Sequence, residues 1–143
     1  MKRYVFAAGA AFLASACTQQ PAAPMDLNGR WEVQQIAGAS LGEGVDIWID
    51  VDAQAGAISG FTGCNAFTAP LSSFGESLTV GAVSEEPGEC ASPEAATDEA
   101  RFLMVLPQTQ RSILRGDSLE LLQAASGSES LLRLRRADEP AGG

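Results

Sequence analysis

Apolar and polar residues alternate along much of the chain in short stretches separated by turn-forming residues, which is the pattern of β-strands with one buried face. Trp31, Val33 and Gln35 alternate with Glu32 and Gln34. Val45, Ile47, Ile49 and Val51 alternate with Asp46, Trp48, Asp50 and Asp52, placing four branched aliphatics on one face of the clearest strand. Ala53 to Gly56 reads as a hairpin turn and Ala57 to Phe61 as the returning strand. Leu71 to Phe74 is a weaker candidate, and Leu78, Val80 and Ala82 share a face of the next. Ser112-Ile113-Leu114, a turn at Arg115-Gly116-Asp117 and Leu119-Glu120-Leu121 follow. After a small polar turn from Ala124 to Ser130, Leu132 and Leu134 alternate with Arg133 and Arg135 in the last strand. Connections this short suit antiparallel neighbours.

One helix interrupts the strands. Ser92 can cap its N-terminus, Pro93 suits the first helical position, and Glu94, Asp98 and Glu99 complement the helix dipole. Ala95, Glu99, Phe102 and Leu106 fall on one side with Leu103 beside them, and Pro107 ends the helix. The helix is expected to cover an open end or a face of the sheet. The fold class is therefore mainly β: a small antiparallel β-barrel or strongly curled sheet with one helix.

The first residues follow a different logic. Met1-Lys2-Arg3 is a positive start, and Tyr4 to Leu13 is an apolar run well short of the roughly 20 residues that span a membrane. Small residues at Ala14 and Ala16 fit a signal-peptidase site, so residues 1–16 read as an export signal. Leu13-Ala14-Ser15-Ala16-Cys17 resembles the lipobox of bacterial lipoproteins, which implies lipid on Cys17; the alternative is ordinary secretion after Ala16. Residues 17–26, with Pro21 and Pro24, read as the lipidated cysteine and a short tether. Thr18 stands where an Asp would resemble an inner-membrane retention signal, so the resemblance favours the outer membrane, with the domain in the periplasm.

Composition narrows the chemistry. The 143 residues carry 18 acidic and 9 basic side chains, a net of −9, and no histidine. The commonest general base and metal ligand is missing, and with it every Ser-His or Cys-His pair. Lys2 is the only lysine and Tyr4 the only tyrosine. Beyond residue 16, seven arginines face 18 carboxylates, so a nucleic-acid partner is not expected. Three cysteines leave one odd in an exported protein. With Cys17 lipidated, Cys64 and Cys90 remain as a candidate disulfide; the other reading is two buried free thiols. A bridge across the 25 intervening residues would contribute roughly 3–4 kcal/mol on the chain-entropy model.

Ser59-Gly60-Phe61-Thr62-Gly63-Cys64-Asn65-Ala66-Phe67 resembles the G-x-x-GCN-x-F signature of the META domain (HslJ-like) family. Leu27-Asn28-Gly29-Arg30-Trp31 is similar to the L-x-G-x-W that opens these domains, and Cys90 falls where the family has its second cysteine. Glu99, Phe102 and Leu106 resemble its E-x-x-F-x-x-x-L helix, and Gly116, Leu119 and Leu121 its closing hairpin. The resemblance spans residues 27–136, leaving 137–143 as a disordered tail. It implies a lipocalin-like barrel topology, an envelope location and a link to envelope stress or antibiotic tolerance, and no known reaction. Two departures stand out. The segment before Cys90 is acidic (Glu85-Glu86-Pro87-Gly88-Glu89) where relatives often have Thr-Arg, and Ala69 stands where Gly is common.

On the residues themselves, Gly63 frees the backbone for positive φ, so the turn can aim Cys64 toward Cys90. Asn65 can hydrogen-bond the backbone of the 84–92 loop, or else contact a partner. Trp48, opposite the aliphatic face, is either covered by the helix or exposed as a partner anchor. Glu86, in the acidic loop with Glu85 and Glu89, is a third candidate contact. Asp50-x-Asp52-x-Gln54 hints at a calcium loop, but the glycine falls at Gly56 and the twelfth position is Phe61, so it reads as a solvated acidic face. No catalytic residue, cofactor or metal site is expected. The leading expectation is a lipid-anchored, non-catalytic binding or stabilising module with an envelope protein partner. The alternatives are a small-molecule carrier using the barrel interior, or an inhibitor docking the 84–92 loop into an enzyme.

Overall fold

The structure, a computed structural model, describes residue 17, residues 25–124 and residues 129–138. The predicted export signal (1–16), most of the tether (18–24), the middle of the 124–130 turn and the end of the tail lie outside the described residues.

The strands are β1 (Gly29–Ile36), β2 (Ala39–Ser40), β3 (Trp48–Asp52), β4 (Ala57–Phe61), β5 (Ala66–Phe74), β6 (Ser77–Val80) and β7 (Ser84–Glu86). Helix α1 (Pro93–Val105) and a 3₁₀ turn (Leu106–Gln108) lead into β8 (Arg111–Arg115), β9 (Ser118–Leu122) and β10 (Ser130–Arg136). Every pairing is antiparallel, in the order β10-β9-β8-β6-β5-β4-β3-β1, and β10 pairs back onto β1 to close an eight-stranded barrel. β2 extends β1 outside the ring and β7 pairs β5. The weakest seam is β6–β8. Its single paired position, Ser77–Arg111, is supported by backbone hydrogen bonds from Leu78 to Gln110 and from Ser112 to Glu76.

Closure follows from the alternation. Trp31, Val33, Ile49, Val51, Ile58, Leu71, Leu78, Val80, Leu119, Leu121, Leu132 and Leu134 all point inward and are buried. Aliphatics of this size fill an eight-stranded barrel. The space left among Leu27, Ile49, Ile58, Leu71, Leu106 and Leu121 is about 10 Å³, room for at most one water.

Both ends are stoppered. At one, Leu27 is buried and its carbonyl accepts from the Trp31 indole N–H at 2.8 Å. The Arg136 guanidinium lies 4.2 Å from the centre of the Trp31 ring and donates to the carbonyls of Asn28 and Asp26. Gly29 turns beneath it at φ +102°. This is the physical content of the L-x-G-x-W motif. At the other end α1 lies across the mouth, with Ser92 accepting from the Ala95 N–H as its cap. Its Phe102 meets Phe67 edge-to-face at 5.6 Å, and Leu106 is fully buried.

Several expectations are corrected. The strand read from Val45 begins only at Trp48, although Ile47 ahead of it is fully buried and its carbonyl accepts from the Val33 N–H at 2.9 Å. A bulge between Val33 and Gln35 turns Ile36 rather than Gln35 into the core. The weak strand at Leu71 is the end of β5, which begins at Ala66 and carries Pro70 through its middle. Pro70 is tolerated because it lies between the stretches of β5 that β7 and β6 pair, where no neighbour needs its missing N–H. Ala82 lies beyond β6 and is exposed. The 84–92 loop opens as strand β7. On α1, Asp98 is buried and Glu99 only half-buried, so the inward face is Ala95, Asp98, Phe102 and Val105.

Candidate functional site

Two regions of the surface gather the residues singled out from the sequence. The first is the crossing between the β4–β5 turn and the segment before α1. Gly63 sits at φ +100°, and the chain turns so that Cys64 forms a disulfide with Cys90, the Cα atoms 4.4 Å apart. Cys64 is buried and Cys90 exposed. Asn65 Oδ1 accepts from the Gly88 N–H at 2.6 Å and its Nδ2 donates to Glu85 at 3.0 Å, so both ends of the amide hold the crossing. The approach is close enough that a Cβ at Gly88 would collide with the Cys64 carbonyl oxygen. Beneath it, fully buried Thr62 donates to the Glu99 carboxylate and accepts from the Asn65 N–H at 2.9 Å. Thus G-C-N and the helix glutamate form one lock. The sulfurs of Cys64 and Cys90 and a Glu99 oxygen lie within 4.8 Å of one another. The sulfurs are bonded to each other, so this cluster offers a cation a single carboxylate.

The second region is the outside of the sheet. Strand register sets Glu32, Trp48, Phe61, Ala66 and Glu86 in one row across β1, β3, β4, β5 and β7. Trp48 lies neither under the helix nor fully free. It is half-buried on the outer face, with the Arg30 guanidinium 3.7 Å from its ring centre. Phe61, its cross-strand partner, is also half-buried and faces outward, since the neighbouring Gly60 faces the core beside Phe67. Glu86 is exposed at the end of the row. The structure thus places Trp48 and Glu86 in one row and leaves Asn65 in the crossing at its edge. Asp52, part of the calcium-like pattern, instead caps the β3–β4 turn by accepting from the Ala55 N–H. Cys17 is exposed and, among the described residues, takes no part in a disulfide.

Phe61 and Asp98 carry more than the sequence reading gave them. Phe61 was recoverable, because a turn over residues 53–56 fixes the hairpin register that puts it opposite Trp48. Asp98 was not. Its carboxylate accepts from the Gly42 N–H at 2.6 Å and pairs with Arg101 at 2.9 Å, while Arg101 donates to the Ile36 carbonyl. These partners lie 56 and 65 positions away, beyond any local pattern.

The family model of the META domain matches residues 23–138. An NMR structure of a protein from Burkholderia xenovorans superposes with a TM-score of 0.60 at 18% identity, covering 78% of this chain and 83% of that one. A second NMR structure gives 0.57 at 17% identity, covering 76% and 88%. These likenesses concern the fold. No curated protein is similar enough to the chain to count as a match.

Proposed function

The chain belongs to the META domain family, and from that premise we propose that it is a non-catalytic binding module of the cell envelope. In this reading lipid on Cys17 holds it to the membrane, the outer one favoured by Thr18, and the Trp48–Phe61 row grips a protein partner under envelope stress. The observation that carries the reading is the contrast between inside and outside. The interior has about 10 Å³ to spare, against several hundred for a small-molecule pocket. Two large aromatics, meanwhile, are paired on the outer face of rigid strands. Half-buried Trp and Phe on the outer face of a fixed scaffold are side chains of the kind that anchor protein interfaces. The same numbers weigh against the carrier reading.

A photo-crosslinking residue at position 61 tests this in intact cells. It is expected to trap a defined envelope protein, and Trp48→Ala in the same chain is expected to abolish the product. The same probe at Phe74, a fully solvated hairpin residue outside the row, is the control. Equal products from positions 61 and 74, or a product indifferent to Trp48→Ala, would rule the row out. One arrangement favours the inhibitor reading as second: Pro87 to Ala91 is exposed yet held by the disulfide and by Asn65, as a docking loop must be. A probe at position 89 that traps an enzyme while position 61 traps nothing would select it.

A further inference from the structure

We propose that the outer face of β8, β9 and β10 carries a binding site for phosphate-type oxyanions, adjoining the Trp48 row where Arg135 stands opposite Glu32. In residues 25–138, seven arginines are outnumbered by 17 carboxylates, so most arginines should be consumed by local pairing. Three of them nevertheless line one groove: Arg115, Arg133 and Arg135. The register explains the grouping. Ser118 on β9 is paired on one side with Arg135 of β10 and on the other with Arg115 of β8, and Arg133 stands two residues along β10 on the same outward face. Strands are spaced about 4.8 Å apart and same-face residues about 6.8 Å, so the three guanidinium stems rise around Ser118 within reach of one polyoxygenated anion. The β8–β9 turn forms one wall and the β1–β2 hairpin the other, enclosing about 560 Å³ of open groove. That is space for a diphosphate or a phosphorylated headgroup.

The charges in this groove are available. Among the described residues, Arg115 makes no ion pair or side-chain hydrogen bond and is exposed. Arg133 reaches Glu120 only at 3.5 Å, and Arg135 reaches Glu32 and Asp138 only at 3.8 Å, with each arginine more than half exposed. Such pairs contribute little and exchange readily. Asp117 is the one carboxylate on the lining, and it turns toward Arg136 at 3.9 Å. Gln34, Gln35, Ser40 and Ser118 add neutral hydrogen-bonding groups to the lining. Guanidinium forks are the side chains best matched to phosphate oxygens.

The phosphate could belong to a soluble compound or to a lipid headgroup, and the test separates them. Inorganic pyrophosphate is titrated into the whole protein at low and at moderate salt by calorimetry. Binding that weakens with salt is expected, and Arg115→Gln with Arg135→Gln is expected to weaken it about tenfold or more. Arg111→Gln, whose arginine is tied to Glu76 elsewhere, should bind as the wild type does. Sedimentation with vesicles of phosphatidylcholine alone or with phosphatidylglycerol forms the second arm. A preference for the anionic vesicles that the double variant loses assigns the site to lipid headgroups, and pyrophosphate binding without it assigns the site to soluble phosphates. The proposal is overturned if the double variant matches the wild type in both arms, or if neither probe binds.

Discussion

Removing the Asp98 carboxylate should destabilise the barrel far more than its position on a short helix suggests. The group is 3% exposed, accepts a hydrogen bond from the Gly42 N–H at 2.6 Å, and pairs with Arg101, which in turn donates to the Ile36 carbonyl at 2.6 Å. One carboxylate thus fastens α1 to the end of β1 and to the segment after β2. Asp98→Ala strands the Gly42 N–H and leaves Arg101 without its counter-charge. A hydrogen bond to a charged group contributes about 1.5–3 kcal/mol, and the partly buried Gly42 N–H left without its acceptor adds part of a desolvation cost. The expected loss is about 3 kcal/mol, reduced from the value for a fully buried pair because Arg101 keeps 31% of its side chain in water. At about 4 °C per kcal/mol for a domain of this size, the melting temperature should fall by about 12 °C. Asp98→Asn keeps an acceptor for Gly42 but no charge for Arg101, and should lose about half as much. Urea unfolding of Asp98→Ala, Arg101→Ala and the double variant measures the coupling, expected at about 1–2 kcal/mol. An Asp98→Ala protein within 0.5 kcal/mol of the wild type would refute the reasoning.

Other perturbations probe separate parts of the account. Replacing Cys64 and Cys90 by Ser should lower stability by about 3–4 kcal/mol in urea, the entropy of a loop spanning 26 positions, with the fold retained by circular dichroism. Gly60→Ala drives a Cβ against the Trp48 carbonyl and the Phe67 ring, and should cost about 3 kcal/mol; a neutral result would mean β3 and β4 are not in this register. Trp31→Ala should cost about 3–5 kcal/mol, because Trp31 is fully buried and stoppers one end. Trp48→Ala should cost only about 1 kcal/mol, mostly its stacking with Arg30. Thermal melts that rank the two tryptophans the other way would reverse inside and outside.

The sequence made the core legible wherever alternation was clean. Ile49 and Val51, Leu119 and Leu121, and Leu132 and Leu134 all point inward as their spacing requires. Helix α1 was legible at both ends because Ser92 and Pro107 act locally. β5 was obscured by Pro70 at its centre, although burial alternates strictly from Ala66 to Ser72. β2 and β7, two and three residues long and exposed throughout, exist only because a longer neighbour offers an edge. Of the candidate surface, single residues could be picked out but not their grouping. Trp48 and Glu86 stood 38 positions apart until β4 and β5 brought them into one row. The three groove arginines required the β8–β9 and β9–β10 registers together.

The chain has only two tryptophans, one sealed in the core and one on the outer face, and this makes the central claim directly measurable. Fluorotryptophan-labelled protein gives two fluorine resonances, assigned by Trp31→Phe and Trp48→Phe, that can be followed while detergent-extracted envelope fractions are added. A module that works through its outside predicts that the Trp48 signal shifts or broadens while the Trp31 signal stays fixed. Movement at Trp31 with Trp48 unchanged would place the ligand inside the barrel and contradict the account.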